Sequence, residues 1–339
     1  MTDTSRPARP SMIDVARHAG VAIGTVSNVL NSPDKVTDAT RRRVNASIAE
    51  LGYIRNDAAR SLAAGSSTAI GLIVADLGNS FFVDIARGAE HLLRQRGMNV
   101  LIANSDVDTA REVQNLELFE RARVAGILLA PLDTPLAASR TLPVHSPTVL
   151  VNAPSPNPAF SGVLVDERGG GAMAARHLLG LGRRRLLCVG GPIFLSAVRD
   201  RFDGVRDAAQ EAGATVEVME TTGLNVRHGR FAAQAVLEEP AGTFDGIIAA
   251  SDLIAIGLIE GFAGRAGFSV PADVAVTGYD DNHFASESAI PITTVSQPGE
   301  EMGRAAAELL LERIGSPHRK TRTITLEPHL IPRRSTLGA

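Results

Sequence analysis

The chain has 339 residues, enough for two or three domains, and its 44% hydrophobic and 21% charged residues exclude an intrinsically disordered polymer. No apolar run reaches the ~18 to 20 residues of a membrane span, and the polar, proline-containing stretch Met1 to Pro10 holds no apolar signal core, so a cytoplasmic protein with no membrane partner is expected. The net charge of −3 conceals an asymmetry: residues 1–65 carry a surplus of +3 and the remainder −6, a distribution expected when one end of a chain meets a polyanion.

In chain order, Ser11 to Leu51 reads as three short helices, with breaks at Gly20 and at Asn31-Ser32-Pro33. Such a segment is too small for an enzyme. Ala16, Gly20, Val26 and Val29 stand at the spacing of a helix-turn-helix: a small residue lets the helices approach, a glycine supplies a turn with positive φ, and two valines seat the second helix. With Val26, Val29 and Leu30 turned inward, the outward face of Ile23 to Leu30 presents Ile23, Gly24, Ser27 and Asn28 as candidate base readers. Thr37 is the expected N-cap of a third helix running to Leu51, with Val44, Ile48 and Leu51 on its core side. Its Arg41, Arg42 and Arg43 are then exposed, either to phosphate or to solvent alone.

The runs Ile13-Asp14-Val15-Ala16-Arg17, Gly20-Val21, Thr25-Val26-Ser27, Val29-Leu30-Asn31, Leu51-Gly52-Tyr53 and Ala59-Arg60-Ser61-Leu62 resemble the headpiece of the LacI/GalR family of bacterial transcription regulators. The resemblance adds Thr25, Asn31, Tyr53, Asn56 and Arg60 to the DNA-contacting set. It also implies that Asn56 to Ala64 forms a hinge helix on operator DNA, with Leu62 as the wedge that enters the minor groove. Such a wedge unstacks a base step at a cost of a few kcal/mol, offset by the contact surface that a bent duplex offers. Gly65-Ser66-Ser67 breaks that helix, giving a headpiece over 1–55, a hinge and linker over 56–66 and a larger domain over 67–339. Ala22 stands where the family usually has Ser, which removes a helix cap, and Asn28 where it usually has Arg, which exchanges a guanine reader for an adenine reader. Gly24 has no side chain to read a base, so part of the family's usual code is either missing or supplied by Ile23 through a thymine methyl.

From Ala69 onward, short apolar runs alternate with helical patterns: Ile70 to Ala75, Val100 to Ala103, Gly126 to Ala130, Thr148 to Val151, Val163 to Val165, Leu186 to Val189, Gly246 to Ala250 and Val274 to Gly278. Nearly continuous apolar strands between helices imply parallel sheets covered on both faces, and the order repeats after about residue 162. The expected fold is α/β, with a small all-α headpiece and two lobes whose cleft lies at the carboxyl ends of their strands. The lone cysteine, Cys188, falls among apolar neighbours and is expected to be core. Asn79-Ser80-Phe81-Phe82, Gly190-Gly191-Pro192, Ser251-Asp252, Gly278-Tyr279-Asp280-Asp281 and Ile292-Thr293-Thr294-Val295 extend the resemblance to the periplasmic-sugar-binding-protein fold. It implies a cleft lined by Asn79, Phe82, Asn152, Asp166, Arg201, Ser251 and Asp280, which suits a small polar effector such as a sugar. Ser251 replaces a usual Asn, Asn152-Ala153 a common Asp-Arg, and Leu224 an aromatic cover, so a smaller sugar, a modified sugar, a nucleoside-like ligand or no small molecule all stay open.

Gly169-Gly170-Gly171 loosely suggests a phosphate loop, but the spaced dinucleotide fingerprint and any Walker Lys are absent. No nucleophile elbow or paired metal-ligand motif occurs, so neither a catalytic residue nor a metal site nor a cofactor is expected. The reading is a homodimeric repressor of a near-palindromic double-stranded operator, controlled by the effector. Its alternatives are a solute-binding protein and a sugar or nucleotide enzyme on the same fold.

Overall fold

The computed structural model describes residues 10–54, 67–132, 144–154 and 159–338. The chain divides into two compact units, Met1–Ser67 and Thr68–Ala339. No described helix is long and apolar enough to cross a membrane.

The first unit holds helices α1 (Met12–Ala19), α2 (Ile23–Asn31) and α3 (Asp38–Leu51), with a 3-10 turn at Pro33–Lys35. Ser11 and Asp14 form a reciprocal capping box on α1, and Gly20 ends that helix at φ 62°, the left-handed turn expected of it. Thr37 caps α3 by accepting from the Thr40 amide at 3.4 Å. Val15, Ala16, Ala19, Val26, Val29 and Val44 form the core, and Leu30, Ile48, Leu51 and Tyr53 pack around it. The three expected helices are therefore present with their breaks in place.

In the second unit, one sheet has the order β11-β5-β4-β3-β1-β2 and the other β12-β10-β9-β8-β6-β7. The first contains β1 (Ala69–Val74), β2 (Asn99–Asn104), β3 (Gly126–Leu129), β4 (Thr148–Val151), β5 (Ser161–Val165) and β11 (Thr323–Leu326). The second contains β6 (Arg185–Gly190), β7 (Thr215–Glu220), β8 (Gly246–Ala249), β9 (Ala275–Asp280), β10 (Thr293–Ser296) and β12 (His329–Ile331). Every pairing is parallel except β10 with β12.

Helices α4 (Ser80–Gln95), α5 (Thr109–Ala122) and α10 (Gly299–Gly315) pack on the first sheet. Helices α6 (Glu167–Gly180), α7 (Ser196–Glu211), α8 (Val226–Glu238), α9 (Asp252–Ala263) and the short α11 (Arg334–Leu337) belong to the second lobe. The chain thus crosses between lobes after β5, after β10 and after β11. The lobe boundary falls after Val165, and the strand placed near the repeat belongs to the first sheet.

Glycines set how closely the helices approach. A Cβ on Gly171 of α6 would strike the Arg201 carbonyl of α7, and one on Gly204 the Arg168 carbonyl, so this pair crosses backbone to backbone. Gly88 and Gly303 do the same for α4 and α10. The run Gly169-Gly170-Gly171 is accounted for by packing: Gly169 faces the Asp166 carboxylate, Gly170 the Tyr279 hydroxyl and Gly171 the Arg201 backbone.

Candidate functional site

On α2, Val26 and Val29 are buried, which turns the other face outward. Ile23 is 48% exposed, and Gly24 and Asn28 are exposed. The space around Gly24 is open, because a Cβ there meets nothing within 4 Å. Ser27 and Thr25 are half-buried, and the Ser27 hydroxyl accepts from the Asn31 amide at 3.2 Å. Ala22 occupies the N-cap with no side-chain hydrogen bond, as its missing hydroxyl requires. Tyr53 is half-buried against the headpiece core. Asn56, Arg60 and Leu62 lie outside the described residues. Arg41 is tied to Asp38 at 2.8 Å, while Arg42 and Arg43 are exposed.

A cavity of about 90 Å³ lies between the lobes. Residues following β1, β3 and β4 bring Asp76, Leu132 and Asn152 to it; the start of α4 brings Asn79 and Phe82. The opposite wall comes from the start of α7, with Ser196 and Arg201, from Leu224 after β7 and from Asp280 at the end of β9. Parallel strands aim their carboxyl ends at one another across the cleft, which is why the site forms there. Val107 also lines it at φ 55°, a left-handed conformation that costs a β-branched residue about 1 to 3 kcal/mol. A second cavity of about 190 Å³ shares Asn152, Ser196 and Ala197 with the first and is bounded by Asp166, Glu167, Asp200 and Thr325 beside the crossings.

The polar groups of the cleft bind one another. Arg201 donates from Nε to Glu167 Oε2 at 2.7 Å, from Nη2 to Glu167 Oε1 at 3.0 Å and from Nη1 to the Ala250 carbonyl at 2.6 Å. Its guanidinium also lies 3.5 Å from Asp280 and 3.7 Å from the centre of the Tyr279 ring. Burial opposes that charge, but Glu167 and Asp280 hold it more firmly protonated than a free guanidinium. Asp280 accepts from Asn79 at 2.6 Å, across the lobes, and from Gln297 on the second crossing at 2.7 Å. Burial nevertheless pushes its carboxyl up to about 6, against the pull of Arg201 and Asn79.

Further bridges join the lobes at the rim. Asn282 donates to Asn79 at 3.2 Å, the His283 amide donates to Ser80 at 3.1 Å, and the His283 ring stands 3.2 Å from Asp84.

Of the residues expected in the cleft, Asn79, Phe82, Asn152, Arg201 and Asp280 share its wall. Asp166 caps α6 by accepting from the Gly169 amide at 2.8 Å and lines the adjoining cavity instead. Ser251 is buried away from that wall: it caps α9 and donates to the Leu224 carbonyl at 3.1 Å. Its contribution is to hold Leu224, which does face the cavity. Glu167 was missed by sequence reasoning, since an acidic residue in the first turn of a helix reads as a favourable interaction with the helix dipole. Cys188 is wholly buried, and burial pushes its thiol up to about 12. Among the described residues no group of three His, Cys, Asp or Glu could hold a metal ion.

Residues 11–56 match the model for bacterial regulatory proteins of the lacI family, and residues 175–336 the model for a periplasmic binding protein-like domain. The ribose operon repressor of Escherichia coli K12 is 32% identical over 329 residues, covering 96% of this chain and 99% of the relative. A solved complex of the transcriptional regulator CelR with cellobiose is 32% identical, with a TM-score of 0.70 over 96% of this chain and 100% of that one. The Lac repressor dimer bound to operator and the anti-inducer ONPF gives a TM-score of 0.80 at 25% identity, over 97% of this chain and 99% of that one.

Proposed function

The chain belongs to the LacI family of bacterial regulatory proteins, and from that premise we propose that it represses transcription as a homodimer on a near-palindromic operator, released or tightened by an uncharged sugar in the interlobe cleft. It is a DNA-binding transcription regulator and not an enzyme. The observation that carries the reading is an end-to-end match: the relative named a ribose operon repressor aligns over 96% of this chain, headpiece and lobes together. The site of action is the cytoplasm, at the nucleoid.

The cleft favours a ligand that donates hydrogen bonds. Arg201 has its N–H groups directed at Glu167, Ala250 and Asp280, which leaves it unable to clamp an anion with two parallel bonds. Asp76 and Asp280 line the same cavity, and Asn152 Oδ1 is buried with no partner among the described residues. Acceptors of this kind suit the hydroxyls of a neutral sugar and repel a sugar phosphate or sugar acid. Ribose and cellobiose, named for the relatives, are both uncharged and are the first probes to try.

The dimer reading draws support from β2, an edge strand whose Leu101 and Ile102 are 45% and 48% exposed, near α5 with Leu118 at 50%. An edge with no strand partner among the described residues and with apolar side chains is a surface that another copy can cover.

Selection of bound duplexes from a random library, at stated salt, tests the reading. A near-palindrome is expected, with affinity for it at least tenfold lower for Leu62→Ala and altered by ribose or cellobiose but not by their phosphates. Failure to enrich any sequence, with and without these sugars, overturns the regulator; enrichment indifferent to every neutral sugar overturns the effector class alone.

A further inference from the structure

The exposed face of α2 carries a restricted chemistry. The helix Ile23-Gly24-Thr25-Val26-Ser27-Asn28-Val29-Leu30-Asn31 contains no charged residue. Arginine or lysine paired with O6 and N7 of guanine is the commonest specific contact in the major groove, and α2 can supply neither. The nearest basic run, Arg41 to Arg43, lies on α3, where Arg41 is already held by Asp38. In a helix-turn-helix the second helix enters the groove with its N-terminal residues against base edges, so the arginines of α3 lie outside the helix that reads bases.

What α2 does present is an aliphatic group and a carboxamide. Ile23 is 48% exposed in its first turn. Asn28, one turn further, is exposed, and its carboxamide has no hydrogen-bond partner among the described residues. Between them, Gly24 offers bare backbone, and the open space around it shows that headpiece packing does not demand a glycine there. An asparagine carboxamide matches N6 and N7 of adenine with two bonds, and an aliphatic group matches the C5 methyl of thymine. Ser27 can donate or accept and so discriminates weakly.

We infer that the recognition helix reads A·T pairs: adenine opposite Asn28 and thymine opposite Ile23 in each half-site, with no guanine read by α2. The inference rests on the DNA-regulator reading and adds the base identity. Guanine in an enriched operator then falls only at positions set by duplex deformability or by other parts of the chain.

The experiment is duplex selection with the full chain and with Asn28→Arg and Ile23→Ala, followed by titration of each protein against the selected operator and its single-pair variants. Both residues are exposed, so the variants are expected to keep the headpiece fold, and melting of the full chain checks this. The wild type is expected to prefer adenine over guanine by tenfold or more at one position of each half-site. Asn28→Arg is expected to move that preference to guanine, and Ile23→Ala to weaken thymine preference severalfold at a second position. A wild-type site with G·C at both positions, or a preference unchanged by Asn28→Arg, overturns the inference and leaves the regulator standing. If neither wild type nor variant enriches any sequence, with ribose or cellobiose present or absent, both fall together.

Discussion

On α2, Ile23 and Asn28 stand exposed, and the Asn28 carboxamide has no partner among the described residues; in the cleft, Arg201, Glu167 and Asp280 are buried and satisfy one another. In the proposed function the two surfaces serve ligands of different kinds. A face that reads DNA must leave its hydrogen-bonding groups free until the partner arrives, and water keeps them solvated meanwhile at little cost. A cleft that closes on a small ligand removes water from its own walls, so each charge needs a partner of its own within the protein. Substitutions on the first surface should therefore change specificity with little effect on folding, and those on the second should act on folding first.

The largest expected effect is Arg201→Met. Removing one partner from a buried ionic network leaves Glu167 and Asp280 uncompensated, at a typical cost of about 3 to 5 kcal/mol. Urea denaturation of the full chain should show this as a loss of the second unit's midpoint, and adding Glu167→Gln should restore part of it. A cost below about 1 kcal/mol would mean that the cleft network is as loosely held as a surface pair, and the contrast with α2 would collapse.

Asp280 sharpens the comparison through pH. Its carboxyl is pushed up to about 6 by burial, from an ordinary 3.8. Between those values the native state holds a proton that the unfolded chain has released, so stability falls as pH rises from about 4 to about 6 and then stays lower, by about 3 kcal/mol. Asp252 acts in the same direction, since burial first and then the neighbouring Asp280 push its carboxyl well above the ordinary range. Asp280→Asn should therefore flatten the decline of stability across that interval. A wild-type profile that rises with pH there would contradict the burial argument.

The same contrast decided what could be read from sequence. The headpiece was legible at Gly20, Thr37 and the valines of α2, which act through local geometry and helical period, while the Ser11–Asp14 capping box of α1 was not read. The strands buried on both faces were legible as apolar runs. Thr215–Glu220, an edge strand with half its residues exposed, does not show such a run, and neither do the short Thr323–Leu326 and His329–Ile331. Those last two cross back to separate sheets, a long-range choice that no local pattern carries. In the cleft, resemblance located Arg201 and Asp280, but the Glu167 that occupies Arg201 lies 34 positions away and became visible only once α6 and α7 were packed. Motif position does not fix side-chain direction at Ser251, whose hydroxyl turns away from the wall to the Leu224 carbonyl.

The smallest expected effect lies at the start of α2. Ala22 leaves the first amides of that helix without a side-chain acceptor. Ala22→Ser supplies one within reach of the Gly24 or Thr25 amide, and an N-cap hydroxyl of this kind stabilises a helix by about 1 kcal/mol. Amide exchange in the full chain should register it as roughly fivefold greater protection at Gly24 and Thr25, with the amides of α9, which Ser251 already caps, unchanged. If protection rises in both units, the headpiece and the lobes do not open independently. If it rises in neither, the first turn of α2 is held by its packing on α1 and α3, and the missing cap carries no cost.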